Sequence, residues 1–278
     1  HYWLSGLVGK EIANKFNIPL VYTSHSLGIF LDGYNKERVD CEKIIMTSSD
    51  IVTVSSLFEE DLILENYKID SNKTKQITPG VDVEIFTPDP TIKRENIFLS
   101  IGRIQEQKGQ IETIKFLDNF RKVENNFFCY FIGGPSGKSG NEYLKELKQT
   151  VVDLNLESHI EFLDNLPQTE IRDLLNKSKL LIHTSKFETF GLVAAEANAM
   201  GVPVLTTNSG SLLEIVENNE NGYYSESLID GNVNNFVQEL LNNNEKFDEI
   251  MLNCLEKSKA YSWANTATEI ENLYKDFA

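Results

Sequence analysis

Residues 179–205 read KLLIHTSKFETFGLVAAEANAMGVPVL, and this stretch decides the fold. The apolar run over 179–185 predicts a buried strand, the residues from about 190 onward predict a helix, and VPVLTT at 202–207 predicts another strand. Two such strands joined by a helix form a βαβ unit, which belongs to a parallel sheet. Strand and helix patterns alternate in this way along most of the chain, so the sequence predicts an α/β protein.

A proline-rich segment divides this alternation into two blocks. The segment has little periodicity and contains Pro79, Gly80, Pro88 and Pro90. We therefore predict a linker, which ends near Glu95. The block before the linker predicts only a few short strands, too few for a complete doubly wound domain. The block after it predicts a complete Rossmann-like set of strands and helices, and the chain from about 229 onward predicts helices alone.

The charge balance excludes several classes of partner. The chain has 278 residues, with 26 Lys and Arg against 42 Asp and Glu, and a formal net charge of −16. Such a charge repels nucleic-acid backbones and anionic lipid headgroups, so we expect no nucleic-acid binding and no strong membrane association. No apolar stretch reaches the ~18 residues needed to span a bilayer, and we expect a soluble, cytoplasmic protein. Nothing in the sequence predicts the oligomeric state.

The cysteines indicate neither a disulfide framework nor a metal site. Cys41, Cys129 and Cys254 lie far apart, in apolar or helical surroundings. No two of them have the spacing of metal ligands, so we predict reduced packing residues and no bound metal.

The loop after the predicted strand at 96–102 contains two cations, Arg103 and Lys108. In parallel α/β sheets, ligands bind beyond the carboxyl ends of the strands, where such loops lie. Two cations beside a helix start suit a diphosphate, because Arg offers a planar fork of donors and Lys a point charge. The alternative is two solvated surface cations.

A glycine-rich loop, FIGGPSGKSG at 131–140, follows the next predicted strand. Glycines such as Gly133 let backbone amides approach a ligand closely. Their spacing does not fit the G-x-G-x-x-G of a dinucleotide-binding loop, and an ordinary strand-to-helix loop is an equal alternative.

Glu188 and Glu196 flank the start of the helix in the opening stretch. The helix is predicted to begin near Phe190 or Gly191, and the free amides of 190–193 form a place where a phosphate binds. Glu196 lies on the first two turns, from which its carboxylate can bind two hydroxyls. The alternatives are a helix cap for Glu188 and a solvated position for Glu196. The apolar surroundings of Glu196 make a charge without a partner costly.

Two histidines follow or end predicted strands. His25, in YTSHSLG at 22–28, lies where an imidazole reaches a cleft between two domains, although a structural role is the alternative. His183 lies within the apolar run before Glu188, and we predict that it is buried.

Taken together, these motifs resemble one enzyme family. GRIQEQKG, GGPSG, ETFGLVAAEANAMGVPVL and YSWANTA have the order and spacing of retaining glycosyltransferases of the GT-B fold, family 4. Glu188 and Glu196 match the E-x7-E motif of that family. HYWLSG, TSHSLG and TPGVDVEIFTPD resemble the branch that contains D-inositol-3-phosphate glycosyltransferase and sucrose-phosphate synthase.

The resemblance implies an α/β fold with two Rossmann-like domains that face a cleft. We expect an acceptor-side domain with its linker over 1–90, a nucleotide-sugar domain over 91–261, and a C-terminal helix over 262–278 that packs back on the first domain. The N-terminal domain is expected to be incomplete, because the chain starts at His1 in the middle of the matching region. The family's N-terminal glycine-rich loop is therefore missing, which makes activity of this chain alone uncertain.

The resemblance also implies roles for individual residues. Glu188 and His25 would be catalytic, with Glu188 on the hydroxyls of the donor sugar and His25 beside the reacting anomeric carbon. Donor binding is assigned to Arg103, Lys108, Gly133, Phe190, Gly191, Leu192, Val193 and Glu196. Among these, Arg103 and Lys108 would hold the diphosphate and Glu196 the ribose. Acceptor binding is assigned to Tyr2, Ser26 and Arg38, with Ser26 in place of the usual threonine.

The activity implied is retaining, metal-independent transfer of a glycosyl group from a nucleotide sugar, expected to be UDP-linked, to a small soluble acceptor, with or without a phosphate. No cofactor beyond this co-substrate is expected. The alternatives are a non-catalytic nucleotide-sugar-binding module and a GT-B-fold UDP-N-acetylhexosamine epimerase. Two departures from the family pattern bear on donor fit: Gly210 and Ser211 replace the usual Gly-Gly, and Asp164 replaces a frequent glycine.

Overall fold

The computed structural model describes residues 1–30 and 35–277, which divide into two units. The first unit comprises His1–Gly80 and Trp263–Ala278, and the second comprises Val81–Ser262. We expected the first domain to extend to residue 90. The second unit instead begins at Val81, because Val81 and Phe86 are buried in its core and the Val81 amide donates to the carbonyl of Tyr261 at 2.9 Å.

The first unit contains a three-stranded parallel sheet in the order β1-β2-β3. Its elements are α1 (Trp3–Phe16), β1 (Val21–Thr23), α2 (Lys36–Ser48), β2 (Ile51–Val54), α3 (Leu57–Tyr67), β3 (Thr74–Gln76) and α11 (Trp263–Lys275). Side-chain caps set two of the helix starts. Asn35 accepts from the amide of Arg38 at 3.2 Å, and Ser56 accepts from the amide of Glu59 at 3.0 Å.

The C-terminal helix α11 lies with the first unit although the second unit precedes it in sequence. The hydroxyl of Thr266 donates to the carbonyl of Thr78 at 2.7 Å, and Leu273 is buried. In the part of the chain that the structure describes, no helix is both long and apolar enough to cross a membrane.

The second unit contains a six-stranded parallel sheet, which provides the strands of the predicted Rossmann-like set. Its elements are β4 (Ile97–Ile101), α4 (Gln110–Phe120), β5 (Phe128–Ile132), α5 (Gly140–Asp153), β6 (Ile160–Leu163), α6 (Gln168–Lys177), β7 (Leu180–His183), α7 (Leu192–Ala199), β8 (Val204–Thr207), α8 (Leu212–Ile215), β9 (Gly222–Ser225), α9 (Gly231–Asn242) and α10 (Asn244–Ser258). This confirms the strand and helix alternation read from the sequence.

The strand order of this sheet places a ligand site. The order is β6-β5-β4-β7-β8-β9, so the chain moves outward from β4 in one direction and from β7 in the other. The two central strands pair directly, with Phe98 opposite Leu180 and Leu99 opposite Leu181. A reversal of this kind opens a crevice between the loops that follow the two strands.

Alternating side chains of the central strands build a core on each face of the sheet. Phe98 and Leu180 belong to the cluster that includes residues of α4, α5, α9 and α10. Leu99 and Leu181 belong to the cluster that includes residues of α6, α7 and α8. Both faces of the sheet are therefore covered, which explains why its strands are almost continuously apolar.

Candidate functional site

The loops that follow β4 and β7 bring Lys108 and Glu188 together at the switch point of the sheet. The ammonium of Lys108 lies 2.7 Å from Oε2 of Glu188, although 80 positions separate the residues in sequence. Lys108 ends a short 3₁₀ turn, Glu106–Lys108, that leads into α4. The alternative of a solvated surface cation is therefore wrong for Lys108, whose side chain is only 22% exposed.

Glu188 is an ionised, largely buried carboxylate. Burial alone would raise its pKa, but the hydrogen bond from His183 and the positive charge of Lys108 outweigh burial and lower the pKa to about 2. Nε2 of His183 lies 3.3 Å from the same Oε2 that Lys108 contacts. Glu188 consequently carries its negative charge throughout the neutral pH range.

Glu188 does not cap the helix that follows it. Helix α7 begins at Leu192, slightly later than predicted, and its N-cap is Gly191 with φ of +99°. Among the described residues, no side chain caps this helix. The backbone carbonyl of Glu188 is held instead by Ser211, whose hydroxyl donates to it at 2.9 Å. The capping alternative for Glu188 is therefore wrong.

The start of α7 presents backbone donors. Within the described chain, the amides of Gly191, Leu192 and Val193 have no acceptor, whereas Ala194 already donates to the carbonyl of Gly191 at 2.9 Å. A side chain at Gly191 would be excluded, because a Cβ there would lie 2.6 Å from Leu212 and the backbone is left-handed. The helix start therefore offers free amides, and its partial positive charge favours an anion.

Glu196 is buried, at 9% exposure, so the alternative of a solvated helix residue is wrong. In the region that the structure describes, its carboxylate has no hydrogen bond or ion pair. Burial raises the pKa of Glu196 to about 7. The group is therefore near half-protonated at neutral pH and lacks the partners that a buried carboxylate requires.

We expect Glu196 to make stability depend on pH. Its folded-state pKa of about 7 lies above the ordinary 4.5, so the neutral form stabilises the fold below pH 4.5 and this contribution is lost as pH rises through 7. Glu196→Gln should raise the free energy of unfolding at pH 8, relative to pH 5, by about 3 kcal/mol. Urea unfolding at both pH values measures this, with Glu239→Gln on the exposed face of α9 as control. An equal change in the free energy of unfolding at both pH values would contradict a raised pKa for Glu196.

Arg103 differs from Lys108 in being exposed. Its guanidinium has no partner among the residues described, and its backbone carbonyl accepts from Nε2 of Gln110 at 2.8 Å. Oε1 of Gln110 is buried and has no hydrogen-bond partner within the described chain. The loop of Arg103 is thus anchored through its backbone, and the Arg103 side chain is left available to bind a ligand.

Gly133 allows the loops after β4 and β5 to approach each other. Its φ is +139°, and a Cβ there would lie 2.2 Å from the carbonyl oxygen of Gly102. Beside it, the amide of Ile104 donates to the carbonyl of Gly134 at 2.9 Å. The glycine is therefore explained by packing between loops, while a contact with a ligand stays a prediction.

Gly133→Ala is expected to destabilise the second unit by about 3 kcal/mol, because it combines backbone strain with a clash against Gly102. Gly231→Ala is the matched control, since among the described residues, its chain neighbours aside, no atom lies within 4 Å of a Cβ at Gly231. Denaturant unfolding of the two variants measures the difference. Equal free energies of unfolding for the two variants would show that the loops can shift to accept the methyl group without loss of stability.

The first unit brings Tyr2, Ser26 and Arg38 together. Nη2 of Arg38 donates to the carbonyl and the hydroxyl of Ser26, both at 2.9 Å, and Nη1 lies 3.4 Å from the hydroxyl of Tyr2. Nε donates to Glu42 at 2.7 Å, and this buried carboxylate also accepts from Gly28 and Tyr67. Arg38 is thus held rigidly by Glu42. The role of the three residues toward an acceptor stays a prediction.

His25 lies in the first unit, in the loop after β1. It has a positive φ of 58°, unusual for a residue with a side chain, and its Nε2 lies 2.9 Å from Nδ1 of His1. Burial lowers its pKa. The catalytic role implied for His25 stays a prediction.

Two family profiles match the chain. The profile described as glycosyl transferases group 1 matches residues 82–253, more than half of the chain, and the one described as glycosyltransferase family 4 matches residues 1–85. The chain belongs to the glycosyl transferases group 1. The family resemblance of the motifs is therefore confirmed, and so is the expectation of a glycosyltransferase.

Individual relatives of this glycosyltransferase agree. D-inositol 3-phosphate glycosyltransferase of Corynebacterium glutamicum is 29% identical over 99% of this chain and 71% of its own length. Sucrose-phosphate synthase from Thermosynechococcus elongatus is 26% identical, with a TM-score of 0.83 over 99% of this chain and 72% of that one. HepE of Anabaena, solved in complex with UDP, is 21% identical, with a TM-score of 0.86 over 99% of this chain and 77% of that one. These similarities confirm the GT-B fold.

Sequence reasoning missed two partners of Glu188 in this glycosyltransferase. His183 was predicted to be buried, which its 5% exposure confirms, but its contact with Glu188 was not foreseen. The available signal was its position as the last residue of β7, at the carboxyl edge of the sheet. Ser211 was noted only as a departure from Gly-Gly, yet its hydroxyl makes a bond to Glu188 that glycine lacks.

A groove of about 910 Å³ lies near the amino-terminal ends of β4 and β7 and contains none of the predicted site residues. Arg94 in its lining is already used by the fold, because it donates to the carbonyls of Leu175, Ser178 and Met200 at 2.6, 3.0 and 2.5 Å. These carbonyls lie at the ends of α6 and α7. The groove is therefore bordered by helix-capping contacts, and the predicted chemistry lies at the other ends of the strands.

The three cysteines are free, and Cys129 and Cys254 are buried. Over residues 1–30 and 35–277, no group of three or more His, Cys, Asp and Glu side chains is arranged to hold a metal ion.

Proposed function

We propose that this glycosyltransferase moves a sugar, with retention of configuration and without a metal ion, from a UDP-linked donor to a small phosphorylated acceptor. The observation that carries the proposal is the arrangement at the switch point of the second unit. There, Lys108 pairs with Glu188, and Cγ of Glu188 would lie 3.6 Å from a Cβ at Gly191, where the free amides of α7 begin. HepE of Anabaena, solved with UDP and with UDP-glucose, supports the choice of UDP.

The diphosphate of the donor would be held by Lys108, Arg103 and the amides at the start of α7. Two cations and a helix N-terminus neutralise the charge that develops on a departing nucleoside diphosphate, which makes it a good leaving group. In the structure, Lys108 is paired with Glu188. On donor binding, Lys108 would therefore either contact a phosphate oxygen in addition to Glu188 or leave Glu188 for that oxygen.

The two glutamates would bind different ends of the donor. Glu188 is ionised and would accept hydroxyls of the sugar. Glu196 is buried without partners in the described chain, and two ribose hydroxyls would supply the hydrogen bonds that its carboxylate lacks. Ribose binding would thus favour the ionised form of Glu196 and release a proton near neutral pH.

The acceptor phosphate would be bound in the first unit by Arg38, Ser26 and Tyr2. Arg38 presents two Nη groups toward these side chains while Glu42 fixes its Nε. A planar guanidinium can donate two parallel hydrogen bonds to a phosphate, and Nη2 would have to exchange one of its bonds to Ser26 for one of them. D-inositol 3-phosphate glycosyltransferase and sucrose-phosphate synthase are both named after phosphorylated compounds, which supports this acceptor class.

The proposed transfer is a same-face substitution at the anomeric carbon. The acceptor hydroxyl forms the new C–O bond as the bond to the diphosphate breaks, and its proton passes to the leaving phosphate oxygen. His25 would orient the sugar beside this carbon. No protein nucleophile and no cofactor beyond the nucleotide sugar are required.

A donor and acceptor screen tests the proposal. The chain is incubated with UDP-, GDP- and ADP-linked sugars, with phosphorylated and unphosphorylated polyols and sugars, and with or without EDTA. We expect UDP release only with a UDP-sugar and a phosphorylated acceptor, unaffected by EDTA, and an NMR coupling that shows retained configuration. UDP binding without turnover would favour a binding module, and interconversion of UDP-sugars without an acceptor would favour an epimerase.

A further inference from the structure

His183 is a buried titratable side chain that the proposed chemistry does not yet use. It is the last residue of β7, one of the two central strands of the sheet, and is 5% exposed. Its Nε2 lies 3.3 Å from Oε2 of Glu188 and 3.1 Å from the hydroxyl oxygen of Ser185. Its ring therefore lies against the carboxylate assigned to the donor sugar.

The position of the hydrogen in this contact follows from the charge of Glu188. An ionised carboxylate only accepts hydrogen bonds, so Nε2 of His183 must be the ring nitrogen that carries hydrogen, and it donates a hydrogen bond to Glu188. Lys108 donates to the same oxygen, Oε2. Oε1 of Glu188 receives no hydrogen bond within the part of the chain that the structure describes, and it is the oxygen left to accept a sugar hydroxyl.

His183 and Lys108 differ in how firmly they hold Glu188. Lys108 carries its charge on a flexible four-carbon stem and is also assigned to the diphosphate. His183 has only two side-chain torsions, and its backbone is fixed in a strand that pairs on both sides, with β4 and β8. When Lys108 turns toward a phosphate, His183 is the contact that remains on Oε2.

We propose that His183 is a positioning residue that holds Oε2 of Glu188 and so keeps Oε1 free for the donor sugar. This inference rests on the proposed function of Glu188. It assigns His183 no contact with the substrate, so its effect must pass through the glutamate.

Two variants separate positioning from packing. His183→Gln keeps an N–H donor near the place of Nε2, whereas His183→Leu keeps an apolar side chain among the apolar neighbours of β7 and removes the donor. We expect His183→Leu to lower kcat about tenfold, since small misplacement of a reacting group has effects of this order. UDP affinity by calorimetry should stay within about twofold, and His183→Gln should retain most of kcat. Thermal unfolding of both variants shows whether the fold is kept.

A double-mutant cycle with Glu188→Ala provides the decisive readout. If His183 acts through Glu188, His183→Leu should reduce kcat no further in the Glu188→Ala background. An equal reduction in both backgrounds, or a His183→Gln variant as impaired as His183→Leu, would overturn the proposal. An unmutated protein that binds no UDP would overturn the proposed function and this inference together, whereas a fully active His183→Leu would overturn the inference alone.

Discussion

Glu188→Gln is expected to lower turnover about a hundredfold, because a carboxylate placed on the donor sugar orients the reacting carbon. Its amide replacement is similar in size but keeps only one acceptor oxygen and no charge. Turnover is measured as UDP release at saturating donor and acceptor. Glu161→Gln is the control, since Glu161 is exposed on the edge strand β6.

The same variant is expected to bind free UDP as tightly as the unmutated protein or more tightly. Glu188 pairs with Lys108, and the neutral amide that replaces its carboxylate would release that ammonium for the diphosphate. Calorimetry with UDP measures the affinity. Weaker UDP binding with normal turnover would mean that Glu188 contacts the nucleotide, and that its role has been exchanged with that of Glu196.

The fold of the second unit was largely predictable from residue patterns. Short apolar runs rich in β-branched residues alternate with helical periodicity, and this pattern is local. The boundary between the two units differs from the predicted one, because prolines such as Pro88 and Pro90 indicate a linker by composition alone. Val81 and Phe86, which precede them, are buried, and burial is a tertiary property that local composition does not contain.

The site could be predicted as a set of loops but not as a set of contacts. Each of Lys108 and Glu188 could be placed after a strand from the sequence alone. Their ion pair depends on β4 lying beside β7, and strand order is a property of the whole sheet. The contact of His183 with Glu188 is unpredictable for a related reason, since an apolar run predicts burial but not which polar group a buried imidazole contacts.

The charge state of the two glutamates also required the structure. The carboxylates lie eight positions apart on one loop and helix, yet the pKa of Glu188 is lowered to about 2 while that of Glu196 is raised to about 7. Glu188 is largely buried and Glu196 is buried, and the difference comes from Lys108 and His183, which contact Glu188 but not Glu196. No local spacing rule distinguishes them, because one partner lies far away in sequence.

Lys108→Ala is expected to weaken UDP binding about thirtyfold, which corresponds to roughly 2 kcal/mol for a charge-assisted contact. Arg103→Ala should have a smaller effect, because Arg103 is exposed and its interaction is screened by solvent. The matched control is Lys122→Ala, which removes an equal charge from an exposed lysine just beyond the far end of α4. Calorimetric titration with UDP at two salt concentrations measures all three.

Loss of Lys108 also leaves Glu188 with an uncompensated charge near the proposed diphosphate position, so part of the expected loss is repulsion by this carboxylate. Combining Lys108→Ala with Glu188→Gln removes that repulsion, and the double variant should recover part of the UDP affinity. A double variant no better than Lys108→Ala would mean that Glu188 lies too far from the bound diphosphate to repel it. Affinity unchanged in Lys108→Ala itself would remove Lys108 from the donor site and leave its ion pair with Glu188 as a purely structural contact.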